Sequence, residues 1–233
     1  MRDRTKIFYD KFSAFRDSEG SLDHARMPWP KRGRRLLREP NCSAPDEVSA
    51  HLDWLERFSG DKMMPSAYKE AADLLVEALL KGGDGSHPDR FAFPILYLYR
   101  HAAELQMKEI IRIGLRLEYL HDSEQLEHAL AAHSLYTIWN QVKSILTQHW
   151  PDADESQLSA AEAIVNDLHQ TDRDGQHLRY PTGKDNVRYK CTLPDRIDLL
   201  NVRKVFDGFW AMLDGSQDGL IYADDHRPSN NGD

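Results

Sequence analysis

The chain has 233 residues, 40% hydrophobic, 9% aromatic and 29% charged, with a net charge of −8. That supplies one substantial domain and excludes wholesale disorder. Only Cys42 and Cys191 are present, 149 positions apart, which excludes a disulfide-stapled miniprotein and predicts free thiols.

Charge is unevenly placed. Residues 1–40 carry 11 Lys and Arg against 6 Asp and Glu, so the rest of the chain is strongly acidic. Arg26, Lys31, Arg32, Arg34, Arg35 and Arg38 follow one another with no acid between them. Residues 1–44 are expected to form a basic N-terminal arm. Lys31, Arg32, Arg34, Arg35 and Arg38 are its candidate nucleic-acid contacts, because each neutralised phosphate releases counterions. The same arm could instead pair with the acidic surface of its own chain or of a second subunit. Phe8, Phe12 and Phe15 allow a short helix there, and Met27-Pro28-Trp29-Pro30 breaks it.

From Pro45 helical periodicity dominates. A first helix is predicted from Pro45 to Gly60 through Val48, Leu52, Leu55 and Phe58. Ser66 is the expected cap of the next, which Gly82-Gly83 stop. A long helix follows from about Phe91 to Tyr119, with Pro94 expected in its first turn. Shorter helices run from Asp122 to Leu130, from a Ser134 cap to Trp150, and from Glu155 to His169. Between Gln170 and Leu193 the pattern becomes irregular, with strand-like pieces at 177–180 and 187–191. A last helix is predicted from Pro194-Asp195 to about Leu213, and residues 216–233 read as a polar, flexible tail. The fold class expected is all-α: an antiparallel bundle of five to six helices over residues 45–215, with the basic arm before it and a short irregular or β-like insertion before the last helix.

The apolar run from Phe91 to Tyr99 has nine residues, against about 20 needed to cross a bilayer, so no membrane is expected as a partner. Met1-Arg2-Asp3-Arg4 leads into no signal-like stretch, and a cytoplasmic setting is expected.

Chemistry concentrates on the long helix. At about 100° per residue, its apolar positions cover more than half the circumference and leave a strip holding Tyr97, His101, Glu104, Lys108 and Arg112. Titratable groups flanked by apolar surface are costly unless they pair or work. Either Glu104 and Lys108 form an ion pair on the wet edge, or the strip lines a groove or subunit seam where His101 exchanges protons and a cation holds an anion. The second cluster is the Asp172–Pro181 loop, where Gly175 permits a tight turn and Arg179 offers a rigid fork near His177. Arg179 could bind phosphate or carboxylate, or lock the loop onto an acid such as Glu104. The candidate catalytic set is therefore His101, Glu104, Lys108 and Arg179.

These same segments resemble a known family. Arg100-His101-Ala102-Ala103-Glu104-Leu105-Gln106-Met107-Lys108 is similar to the Arg-His-x-x-Glu-Leu-x-x-Lys helix of bacterial proteins related to HEPN (higher eukaryotes and prokaryotes nucleotide-binding) domains. His133-Ser134-Leu135-Tyr136-Thr137-Ile138-Trp139 resembles the His-x-Leu-x-x-Leu-Trp that opens their following helix. Gly175 to Pro181 resembles their Gly-x-x-(Phe or Leu)-Arg-Tyr-Pro signature. The resemblance implies a helical bundle, often dimeric, of the kind found in toxin–antitoxin and phage-defence systems. Many such proteins are metal-independent RNases whose active site is an Arg and a His with four to six residues between them. Here that spacing occurs only at Arg116 and His121, with Leu117 where a polar residue is usual, so this is the alternative catalytic pair; Arg173 and His177, with three residues between, fall one short. RNA or a nucleotide, a second copy of the chain, and an antitoxin or operon-encoded protein are the partners implied.

Other chemistries find little footing. One Glu-x-x-His pair, Glu118 and His121, stands alone where a di-iron bundle needs two. Gly82-Gly83-Asp84-Gly85 lacks the preceding strand and following Lys-Ser/Thr of a phosphate loop. No metal or cofactor is expected. The two functions left are an RNA-binding or RNA-cleaving effector and a non-catalytic helical interaction or nucleotide-binding module.

Overall fold

The computed structural model describes residues 60–82, 88–120, 124–180 and 193–227. By its contacts the chain divides after Leu52, and every described residue belongs to the second unit, Asp53–Asp233. The predicted arm, its five candidate contacts (Lys31, Arg32, Arg34, Arg35, Arg38) and the Pro45–Gly60 helix up to residue 59 lie outside the described residues.

Among the described residues there are six helices and no strand: α1 (Gly60–Lys81), α2 (Pro88–Arg116), α3 (Glu124–Ala131), α4 (Leu135–His149), α5 (Glu155–Thr171) and α6 (Leu199–Asp225). They make an all-α helical bundle with α2 at its centre, packed against α1, α4 and α6. Ile95, Tyr99, Ala102, Ala103, Met107, Ile110 and Ile111 of α2 are fully buried. They meet Ala72 and Val76 of α1, Leu135, Ile138, Trp139, Val142 and Ile145 of α4, and Phe206, Phe209 and Leu213 of α6 in one core. None of these helices is long and apolar enough to cross a membrane.

Side chains set several boundaries. Ser134 caps α4 by accepting from Thr137 N, Asp154 caps α5 through Ser156 N, and Asp198 caps α6 through Leu200 N and Asn201 N. Gly114 lets α2 approach α4, since a Cβ there would stand 2.5 Å from Ile145 Cδ1.

Four expectations need correction. First, α1 begins at Gly60, and Ser66 lies inside it, donating its hydroxyl to Met63 O at 3.3 Å rather than capping the helix. Second, α2 starts three residues earlier than expected, which puts Pro94 in its second turn; Pro94 is exposed, so the carbonyl it leaves without an amide partner can meet water. Third, residues 177–180 form a turn in which Gln176 O accepts from Arg179 N and Tyr180 N; no β-like piece occurs there, and 187–191 lie outside the described residues. Fourth, α6 begins at Leu199 behind the Asp198 cap rather than at Pro194-Asp195, and it continues through Asp225, so most of the predicted flexible tail is helical. Gln217 and Leu220 are buried in it, and Gln106 Nε2 donates to Gln217 Oε1 at 2.8 Å. Gln217 carries the buried stripe from Leu213 to Leu220 under a polar name, and Gly219 permits close contact with Trp150 instead of ending the helix.

Candidate functional site

The three family-like segments, far apart in sequence, meet around one side chain. Arg100, 1% exposed, points from α2 into a seam closed by the start of α4 and the loop after α5. Its Nη1 donates to Glu104 Oε2 at 2.9 Å, its Nη2 to His133 O at 2.5 Å, and its Nε to Asp172 O at 2.9 Å. A guanidinium holds its donors in a rigid fork, so one residue can tie three segments together. Asp172 is fully buried; its Oδ1 accepts from His177 N at 2.9 Å, and its Oδ2 lies 3.6 Å from Arg100 Nε. That contact is charge attraction without a hydrogen bond, because Oδ2 has no partner at bonding distance. Gly175, at φ +74°, brings the loop so close to Arg100 that a Cβ would stand 3.3 Å from Nη1.

Glu104 is the second node. Lys108 Nζ donates to its Oε1 at 2.9 Å, and His133 Nδ1 lies 2.9 Å from the same oxygen. Arg100, Glu104 and Lys108 thus form a ladder spaced by four residues along α2, the separation at which helical side chains meet. Burial on its own would raise the carboxyl pKa. The hydrogen bond and charge of Lys108, the bond to His133 and the charge of Arg100 together outweigh it and hold Glu104 below its ordinary value. Glu104 is therefore ionised near neutral pH.

His101 sits one turn from Glu104, half-buried between the edge of Tyr68, ring centroids 4.5 Å apart, and the face of Tyr97, 5.6 Å away. Burial is the main cause that lowers its pKa. Arg100, Arg179 and Lys108 lower it further, against the pull of Glu104. The ring is neutral at pH 7. Arg179 is exposed: its Nε donates to Gly175 O at 2.6 Å, and its guanidinium lies over Tyr97 and Tyr180, 5.5 Å and 5.6 Å from the ring centroids.

No protein-family description matches the chain, and no curated protein or solved structure is significantly similar to it.

The predicted residues divide accordingly. His101, Glu104 and Lys108 lie on α2, with Glu104 bonded to Lys108, and Arg179 approaches the same helix from the loop after α5 by lying over Tyr97. Glu104 and Lys108 are an ion pair as expected, but a buried one rather than one on a wet edge. The lock between loop and bundle is Arg100; Arg179 meets a carbonyl and two rings instead of Glu104. Arg112 pairs with Glu109 in the exposed part of α2. Arg116, of the alternative pair, donates from Nε to Asp224 Oδ2 at 2.7 Å at the end of α6, while His121 lies outside the described residues. Among the described residues no group of three or more His, Cys, Asp or Glu is placed to hold a metal ion. An apolar hollow of about 410 Å³ opens between α2, α5 and α6 at Leu96, Ile164, Leu168, Val202 and Phe206, and none of the predicted site residues borders it.

Three members of the cluster, Arg100, His133 and Asp172, were not among the candidate site residues, although Arg100 and His133 open two of the family-like segments and Asp172 opens the loop. The available signal was the interval of four from Arg100 through Glu104 to Lys108. It was hidden because Arg100 projects from the apolar side of the helical wheel, where a charge is not sought.

Proposed function

We propose that the chain is an RNA-binding, HEPN-like effector of a bacterial toxin or phage-defence system. It works in the cytoplasm as a homodimer, and it cleaves RNA by metal-independent acid–base chemistry. The observation that carries this reading is the row of groups along α2. Arg179, backed by two tyrosine rings, lies over Tyr97; His101 follows; the exposed ring of His133 stands at Glu104. A guanidinium can take a phosphate, exposed aromatic faces can stack bases, and a neutral imidazole can accept a proton. The three family-like segments meeting at Arg100 also support it. The basic arm would add phosphate contacts, and an antitoxin or operon-encoded protein would restrain the activity.

The test is incubation of total RNA with the full chain, with and without EDTA, beside His101→Ala and Arg179→Ala. Cleavage that survives EDTA and falls in either variant supports the assignment. Cleavage that persists in both rejects the site, and cleavage lost in EDTA favours a metal. Light scattering on the same preparation tests the dimer.

A second reading, a non-catalytic interaction or nucleotide-binding module, is favoured by the engagement of Glu104 and Lys108 with each other and with Arg100. It predicts no RNA cleavage by the wild type.

A further inference from the structure

His133 is held in an unusual way for an exposed residue. Its side chain is 62% exposed, yet its Nδ1 edge reaches a carboxylate that is 3% exposed. A carboxylate with this many donors around it accepts, so the proton of the neutral ring sits on Nδ1 and the lone pair on Nε2. With the Nδ1 edge against Glu104, the open part of the ring is its Nε2 side. We propose, resting on the RNA reading above, that His133 is the catalytic proton acceptor of this site, taking the proton of a ribose 2′-hydroxyl through Nε2, with Glu104 as the positioning residue that fixes its tautomer.

Arg100 and Lys108 give Glu104 its fitness for that role. Their bonds leave the carboxylate in one orientation, and their charges keep it ionised, so it steadies the imidazolium that forms without taking the proton itself. Arg100 also fixes the His133 backbone through its carbonyl, so both the ring and its main chain are anchored to α2. His101, by contrast, is hemmed in by Tyr68 and Tyr97. Arg179, over Tyr97, is seven residues from Glu104 along α2, or about 10 Å of helix rise. That places a phosphate anchor and a proton acceptor within reach of one short RNA segment.

The step balances without a co-reactant. The 2′-oxygen attacks the adjacent phosphorus and the P–O5′ bond breaks. The 2′-hydroxyl proton passes to His133 Nε2, and the departing 5′-oxygen takes a proton from solvent. The imidazolium then returns its proton to solvent, leaving a 2′,3′-cyclic phosphate and a 5′-hydroxyl.

The experiment uses the full chain labelled with 15N-histidine and a single-stranded RNA of random sequence. An uncleavable 2′-deoxy strand of the same length serves for binding. His133→Gln is expected to lower cleavage at least about 100-fold while binding the deoxy strand within about threefold of wild type. In the wild type the His133 ring is expected to show the Nδ1–H tautomer by NMR, and to lose that preference in Glu104→Leu, which offers no acceptor. Because His133 is largely exposed, His133→Asn should fold as well and repeats the test. Cleavage above about a third of the wild-type rate in both His133 variants overturns the proposal, since acid–base groups normally contribute far more. An Nε2–H tautomer in the wild type overturns it even if RNA is cut and Arg179→Ala abolishes cutting, which leaves the RNA reading intact. A wild type that neither binds nor cuts RNA defeats that reading, and the proposal with it.

Discussion

Replacing Arg100 with Ala removes the three donors that join α2, the start of α4 and the loop after α5. Glu104 and Asp172 stay buried, the first with Lys108 still beside it and the second without a cation at hand. Breaking a buried ion pair by deleting one partner costs about 3–5 kcal/mol. The two carbonyls that lose their donor add to this, but they act in the same network and do not sum independently. A loss of about 4 kcal/mol is expected, a large share of a stability that for domains is about 5–15 kcal/mol. In urea, with a slope of about 2 kcal/mol per molar, the midpoint should fall by about 2 M. Trp139 is fully buried in the core beside α2 and reports the transition by fluorescence. Arg179→Ala is the control: it removes one backbone bond and two exposed ring contacts, and should cost about 1 kcal/mol. If the two variants unfold at the same urea concentration, the clamp at Arg100 does not hold the segments together and the cluster has been misread.

Gly114→Ala places a Cβ 2.5 Å from a fully buried isoleucine side chain, and about 1–3 kcal/mol of stability should be lost. Ile145→Val in the same background should return part of it, which thermal melts of the double variant would show. Leu220→Ala should cost about 2–5 kcal/mol, since Leu220 is fully buried; a change near zero by urea unfolding would mean that the end of α6 is not docked. Burial lowers the pKa of His101, His149 and His169, so the unfolded chain binds more protons as pH falls through the ordinary histidine value of about 6.5. Stability should therefore be full above that pH and decline below it, with Glu104 adding a further loss below the ordinary carboxyl value of about 4.5. Urea midpoints measured from pH 8 downward would check the sign, and His101→Gln should flatten the upper part of the slope.

The fold was legible where local chemistry is loud. Ser134 and Asp154 cap the helices they were expected to start, or stand at the punctuation before them, and the apolar period of α2 marks it as central. The errors fall where burial overrides residue type. Gln217 is polar, so the stripe of α6 seemed to end at Leu213, although a buried partner, Gln106, makes a glutamine acceptable there. Pro94 was expected in the first turn of its helix, but it is tolerated in the second, where the carbonyl it frees reaches solvent. At the site, His101, Glu104, Lys108 and Arg179 could be grouped from helical spacing and a turn signal. Arg100 could not: its value lies in carbonyls 33 and 72 residues downstream, and no local pattern announces them.

Those long separations bear on the order of events during folding. While the chain is still open, the guanidinium of Arg100 is best left hydrated, because the acceptors that replace its water arrive only after two large loops have closed. Desolvating it early would be uphill, so docking of the Asp172 loop should come after the rate-limiting barrier. Stopped-flow kinetics should then find that weakening this side chain hastens unfolding and leaves the refolding rate nearly unchanged. The clamp would act as a latch set last and released first, governing how long the native bundle persists rather than how fast it forms.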